Sequence, residues 1–223
     1  MNIMIVGSSG MVGQGVLNAC LQANDVKHIT LLVRKPQTIS QDQDKIEQIV
    51  LPDLMQFNAQ HPQLAKLDAY FFCAGASSLG MNETDYRKMT YDLTLHIANI
   101  LASVRPNLDF IYISGKGADS TSNTMWAKVR GETENALLAL PLKTTIFRPA
   151  FIMAEKGIQS KTALYALMYQ VMCPIVSAIN TIIPLNLLTT AGIGNAMLNT
   201  VRHGSPKAIL ESQDIVQQAK KRV

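Results

Sequence analysis

Short apolar runs alternate along this chain with longer stretches in which apolar positions recur every three or four residues. The runs predict strands over about Asn2–Val6, His28–Val33, Lys45–Val50, Ala69–Cys73, Asp109–Ser114 and Thr144–Phe147, with a last strand at Ala208–Leu210. Helical spacing falls over Met11–Gln22, Thr84–Val104 and Ser122–Leu140, and a shorter helix is expected between Leu54 and Leu67. A terminal helix over Ser212–Lys221 takes Ser212 as its N-cap. Strands without internal polar alternation are buried on both faces, and helices between them supply the crossovers. The fold class is therefore α/β, a doubly wound parallel sheet formed by residues 1–223 as one domain, with 150–205 as a small helical lid, substrate or interface region.

In such a sheet ligands bind at the carboxyl ends of the strands, and the turn-forming residues gather there. Gly7 follows the first strand, Arg34 the second, Asp53 the third, Ala74 and Gly75 the fourth, Ser114 and Gly115 the fifth, and Arg148 and Pro149 the sixth. The first of these turns, Gly7-Ser8-Ser9-Gly10-Met11-Val12-Gly13, leads from a strand straight into a helix. A helix N-terminus presents unsatisfied amide hydrogens and half a positive charge, so it holds an anion, here a dinucleotide pyrophosphate. Gly7 makes the sharp turn, Gly10 lets the backbone approach the phosphates, and Gly13 lets the helix close on the strand. Ser9, Met11 and Val12 complete the cradle.

The residue ending the second strand faces the adenosine ribose. An acid there selects NAD, and a base selects the 2′-phosphate of NADP. Arg34 and Lys35 occupy that place, which favours NADP(H) over NAD(H). Asp53 and Leu54 follow the third strand, where Asp53 either accepts from the adenine amino group or caps a helix. Cys73, Ala74 and Gly75 give the small side chains needed beside a cofactor, and Pro149 closes the far end of the crevice.

Together with Gly7, Gly10, Gly13 and Arg34, the segments Ser114-Gly115-Lys116-Gly117-Ala118-Asp119, Arg130-Gly131-Glu132 with Glu134, and Phe147-Arg148-Pro149 resemble the atypical short-chain dehydrogenase/reductases, most nearly their Tat-interacting oxidoreductase-like subgroup. The resemblance implies a Rossmann fold, a nicotinamide dinucleotide, and reductase or epimerase chemistry. In that family a serine polarises the substrate carbonyl, while a tyrosine four residues before a lysine passes the proton. By resemblance Ser114 is the serine, but Trp126 stands at the tyrosine and Arg130 at the lysine. An indole has no proton to give near neutral pH, whereas a guanidinium still binds ribose hydroxyls. The site therefore reads either as an oxidoreductase with altered chemistry or as a non-catalytic NADPH-binding sensor or scaffold. Tyr86, Tyr91 and Tyr112 are expected to be packing residues, and Lys128 to face solvent.

Composition changes this picture little. A net charge of +4 comes from scattered Lys and Arg, which argues against a nucleic-acid surface. Cys20, Cys73 and Cys173 are widely spaced, without metal-ligand spacing, and read as reduced thiols. With no secretory signal pattern, a cytoplasmic location is expected. From Thr162 to Val201 there is no charged residue, yet Pro174 and Pro184 break the run into pieces too short to span a bilayer. That segment, with a helix expected at Ala163–Cys173, reads as a lid over an apolar substrate, a homodimer interface, or a patch resting on a membrane surface.

Overall fold

The computed structural model describes residues 1–39, 43–155 and 188–221. Seven parallel strands form one sheet: β1 (Asn2–Val6), β2 (His28–Val33), β3 (Ile46–Val50), β4 (Ala69–Phe72), β5 (Asp109–Ile113), β6 (Lys143–Arg148) and β7 (Ile209–Glu211). Their spatial order is β3-β2-β1-β4-β5-β6-β7. The order reverses between β1 and β4, which pair in register from Ile3 with Ala69 to Val6 with Phe72. In open parallel sheets a ligand crevice lies at such a switch point, above the carboxyl ends of the two strands.

Alternate residues of each strand feed two cores. Ile3 and Ile5 of β1, Ile29 and Leu31 of β2, and Phe71 of β4 join one cluster with the helices α1 (Met11–Gln22), α5 (Thr190–His203) and α6 (Ser212–Ala219). Met4, Val6, Tyr70, Phe72 and Phe110 point to the other face, against α3 (Leu93–Val104) and the inner side of α4 (Met125–Leu138). A strand that must feed both cores has no polar position to spare, which is why these strands read as unbroken apolar runs.

The helix expected over Thr84–Val104 is one rod with an interruption. α2 (Glu83–Arg87) passes through a π-helical turn at Lys88–Asp92 into α3. Such a turn shifts the helix face by a residue and often lies beside a functional site. The connection at Leu54–Leu67 holds two 3-10 turns, Leu54–Gln56 and Pro62–Lys66, instead of an α-helix, since Pro62 stops continuation from the first. At α6 the N-cap is Glu211, in a reciprocal capping box with Asp214, and not Ser212. The Ser212 hydroxyl accepts instead from Ala150 N at 2.8 Å. A carboxylate at that end answers the helix dipole better than a hydroxyl. The expected helix at Ala163–Cys173, with Cys173 and most of the uncharged run, lies outside the described residues. Among the described residues no helix is long and apolar enough to cross a membrane.

Candidate functional site

Gly7 has φ +84°, and a Cβ built on it would lie 2.4 Å from Ala74 N. The turn after β1 is therefore pressed against the end of β4. A Cβ on Gly13 would lie 2.1 Å from Gly7 O, so α1 sits directly on the turn. Gly10 differs: its Cβ would meet only Gly7 O, at 3.3 Å, with open space beyond. Gly10 caps α1 without a side-chain hydrogen bond, and the first turn carries no acid. The amides of Met11, Val12 and Gly13 thus open onto the crevice with their positive dipole unanswered. Ser9 O accepts from Gln14 Nε2 at 3.1 Å, which braces the turn from the helix side.

Gln37 and Gln48 join this turn to the neighbouring strands, and sequence reasoning missed both. Gln37 Nε2 donates to Ser8 Oγ at 2.9 Å, and the two glutamines exchange backbone and side-chain bonds of 2.9 and 2.8 Å. Their signal in the sequence is only a pair of polar residues either side of a loop. Arg34 and Lys35 emerge exposed from the end of β2, beside this loop. Asp53 accepts from Met55 N at 3.0 Å and caps the turn at Leu54–Gln56, while Leu54 is buried in the core. Of the two roles expected for Asp53, capping is the one it fills here.

The other half of the crevice is built by β5 and α4. Ser114 is buried, and its hydroxyl donates to Glu134, which is 1 % exposed. Arg148 Nε reaches both Glu134 oxygens, at 3.1 and 3.0 Å, and its Nη2 pairs with the same carboxylate. Arg148 also approaches Glu211 at 3.6 Å, so the two carboxylates hold its proton more firmly than usual. Pro149 O accepts from Lys116 N at 3.1 Å, tying the ends of β5 and β6 together. Glu134 was legible as part of a motif but not as a buried ion; its only sign is a charge one helical turn after Arg130 on an inward face.

Trp126 sits near the start of α4, half-buried, with its ring edge 3.4 Å from where a Cβ on Gly117 would stand. One turn on, Arg130 rises toward the crevice between Gly75 after β4 and Gly115 after β5. Its Nε donates to Tyr86 Oη at 2.9 Å and its Nη1 to Ile113 O at 3.4 Å. Burial opposes the charge on Arg130, but Tyr112, Tyr86 and Glu134 nearby hold the guanidinium protonated all the same. Burial pushes the Tyr112 hydroxyl up to about 12 despite Arg130. Cys73, beneath Gly7, has its thiol raised by burial and is not an activated nucleophile. Lys128 is exposed, as its helical position predicts.

The structure thus gathers Gly7, Gly10, Gly13, Ala74, Gly75, Gly115 and Arg130 around one crevice, at the switch point of a parallel sheet. This is the Rossmann architecture of the nicotinamide-dependent reductases and epimerases. The chain superposes on yeast methylglyoxal/isovaleraldehyde reductase Gre2, solved with NADPH, with a TM-score of 0.66 at 10% identity over 95% of this chain and 77% of that one. On MoeE5, solved with UDP-glucuronic acid and NAD, the TM-score is 0.70 at 11% identity over 95% and 76%.

Sequence comparison adds that the chain is similar to FMP52 and HTATIP2 proteins. Mitochondrial fmp52 of Emericella nidulans is 29% identical over 161 residues, 70% of this chain and 68% of its own length. Rattus norvegicus HTATIP2 is 25% identical over 157 residues, 70% and 64% respectively. Leucinostatins biosynthesis cluster protein T of Purpureocillium lilacinum is 29% identical over 143 residues, but the match spans only 52% of that protein. No protein-family model matches the chain. The expected cytoplasmic location is corrected by these relatives, since the FMP52 proteins of Emericella nidulans, Aspergillus oryzae and Coccidioides immitis are named mitochondrial. The wide cysteine spacing behind that expectation does not distinguish one compartment from another.

Proposed function

We propose that this chain binds NADP(H) and acts as an oxidoreductase on a small apolar carbonyl compound. The observation that carries the reading is the uncapped N-terminus of α1, open to the crevice at Gly10 and free of acidic residues. Gly7, Ser9, Gly10, Met11, Val12 and Gly13 would cradle the pyrophosphate. Arg34, with Lys35, would take the 2′-phosphate; an exposed guanidinium without a carboxylate partner among the described residues suits that anion. Ala74, Gly75 and Pro149 would line the nicotinamide side, and Arg130 would donate to its ribose or to the reacting oxygen. When bound, the nicotinamide supplies or removes a hydride. The uncharged run from Thr162 to Val201 supports an apolar substrate.

The residues of this chain do less proton chemistry than the fold allows. Trp126 has no acidic hydrogen to transfer, and the Ser114 hydroxyl is committed to Glu134. Arg130 instead offers a fixed positive charge to an oxygen that gains negative charge. The same two observations favour a second reading, a sensor that binds NADPH without turnover.

Both readings stand or fall on nucleotide binding by the full chain, measured by NADPH fluorescence. Arg34→Ala should weaken NADPH about tenfold to a hundredfold, the worth of charge-assisted hydrogen bonds to a phosphate, and NADH less than twofold. Equal weakening of the two would refute the NADP(H) assignment. NADPH oxidation against aldehydes, ketones and quinones then separates enzyme from sensor, and binding without any turnover leaves the sensor.

A further inference from the structure

Every other half-buried arginine of the described fold is paired with a carboxylate or with two backbone carbonyls. Arg148 holds Glu134, Arg202 holds Asp25, and Arg87 holds Glu132. Arg105 holds the carbonyls of Ala65 and Leu67 at 2.6 and 2.7 Å. Arg130 alone among them, within the described residues, makes neither a direct ion pair with a carboxylate nor bonds to two carbonyls. Its partners are one phenol oxygen at 2.9 Å and one carbonyl at 3.4 Å. A guanidinium has five N–H groups, so three are left over. Nη2 faces Gly75 and Nη1 faces Gly115, each 3.7 to 3.9 Å from where a Cβ would stand, and both glycines keep that approach clear.

Tyr86 fixes this arrangement. It lies on α2, fully buried, immediately before the π-helical turn, which turns the following helix face relative to α2. Its oxygen accepts from Arg130 at Nε, which leaves the Nη2 hydrogens without a protein partner among the described residues. A tether there stops rotation of the planar fork without using up the Nη groups. An ammonium could not be held this way, because its hydrogens rotate about one point.

We propose that Tyr86 is a positioning residue that locks the Arg130 guanidinium, so that its free Nη hydrogens form a rigid two-pronged donor for a ligand oxygen between Gly75 and Gly115. Tyr86 and Arg130 act as one unit in place of a proton-passing pair. The inference rests on the dinucleotide reading only for the identity of the ligand; the tether is a property of the chain itself.

Two readouts on the full chain test it. In the wild type, the Arg130 Nε–H resonance, assigned by its loss in Arg130→Met, should exchange slowly with solvent; in Tyr86→Phe it should broaden into the bulk arginine signal. NADPH affinity should fall about fivefold in Tyr86→Phe, the worth of one hydrogen bond's ordering, with melting temperature within about 2 °C of wild type. In an Arg130→Met background, Tyr86→Phe should then change affinity less than 1.5-fold, as coupled residues do. Arg130→Lys approaches from the other side and should lose as much affinity as Arg130→Met. An unchanged Nε–H signal, or equal effects of Tyr86→Phe with and without Arg130, would overturn the proposal. Failure of wild-type NADPH binding would sink the dinucleotide reading instead, and the resonance would still decide the tether.

Discussion

Two turns meet at the crevice and are built from opposite materials. The turn after β1 is almost entirely backbone: Gly7 against Ala74, α1 against Gly7, and open amides at Gly10. The turn after β5 is almost entirely side chain: Ser114 on Glu134, Glu134 on Arg148, Arg130 on Tyr86. Backbone geometry is hard to alter without losing the fold, whereas side-chain networks can be rewired residue by residue. The first turn is thus fixed by the fold, and the second by bonds that single substitutions can change. Because the two lie on different strands, a change at Trp126 or Arg130 leaves the phosphate cradle untouched.

The contrast breaks most severely at Gly7. A methyl group there would meet backbone atoms of Ala74 and Cys73 at 2.4 to 2.6 Å, at a residue already in the left-handed region. Neither neighbour can yield, so Gly7→Ala should cost about 4 kcal/mol from overpacking and strain together. For a chain of this length that lowers the melting temperature by roughly 8–16 °C. Gly10→Ala is the control, since its methyl would touch only Gly7 O at 3.3 Å. It should melt within about 2 °C of wild type yet bind NADPH at least tenfold more weakly, because the methyl stands where the phosphates approach. Calorimetric melting and nucleotide titration separate the two. If Gly10→Ala binds normally, the open space above it is not a phosphate site.

The difference between the two turns also explains what the sequence disclosed. Glycine spacing encodes backbone geometry directly, so the β1 turn and its helix over Met11–Gln22 were legible at the residue level. The central strands were legible because both of their faces are buried, as in β1 and β4. The β5 side was legible as a set of residues but not as a set of bonds. Ser114 matches a family position, yet only the fold shows its hydroxyl given to Glu134. Tyr86 reads as packing because its one polar contact comes from Arg130, 44 positions away. Gln37 and Gln48 were invisible because glutamine carries no local pattern. At α6, Ser212 lost the cap to Glu211 because its hydroxyl bonds Ala150, a contact that spans 62 residues.

Glu134 sharpens the comparison from the side-chain end. The carboxylate is 1 % exposed, and Arg148, at 21 % side-chain exposure, depends on it. Glu134→Gln keeps the shape and can still accept from Ser114, but it leaves Arg148 with only Glu211 at 3.6 Å. Removing one partner of a buried pair costs about 3 kcal/mol, which lowers the melting temperature by roughly 6–12 °C. Among the described residues no hydrogen bond or ion pair joins the β1 turn to this network, so NADPH affinity in the folded variant should change less than threefold. A larger loss would mean that the two turns are coupled and the separation drawn between them is false.

The smallest expected effect is a missing one, in the pH dependence of the β5 side. Where a tyrosine and a lysine pass a proton, nucleotide and substrate handling vary across the neutral and mildly alkaline range. On the proposed reading Trp126 and Arg130 take those places, an indole and a guanidinium, neither of which changes charge there. Tyr112, the buried tyrosine facing Arg130, is pushed up to about 12 by desolvation, so it stays neutral as well. Its raised value fixes the sign of any alkaline effect. The stability it contributes is complete below pH 10, the ordinary tyrosine value, and is lost as the pH rises from there through about 12. NADPH affinity should accordingly vary less than twofold between pH 7 and 9.5, above the titration of a 2′-phosphate and below that of Tyr112. Thermal stability should begin to fall only above pH 10, and Tyr112→Phe should remove part of that fall. A break in affinity near pH 8 in the wild type would reveal a titrating group in the crevice, and Arg130 would then not be acting as a fixed charge.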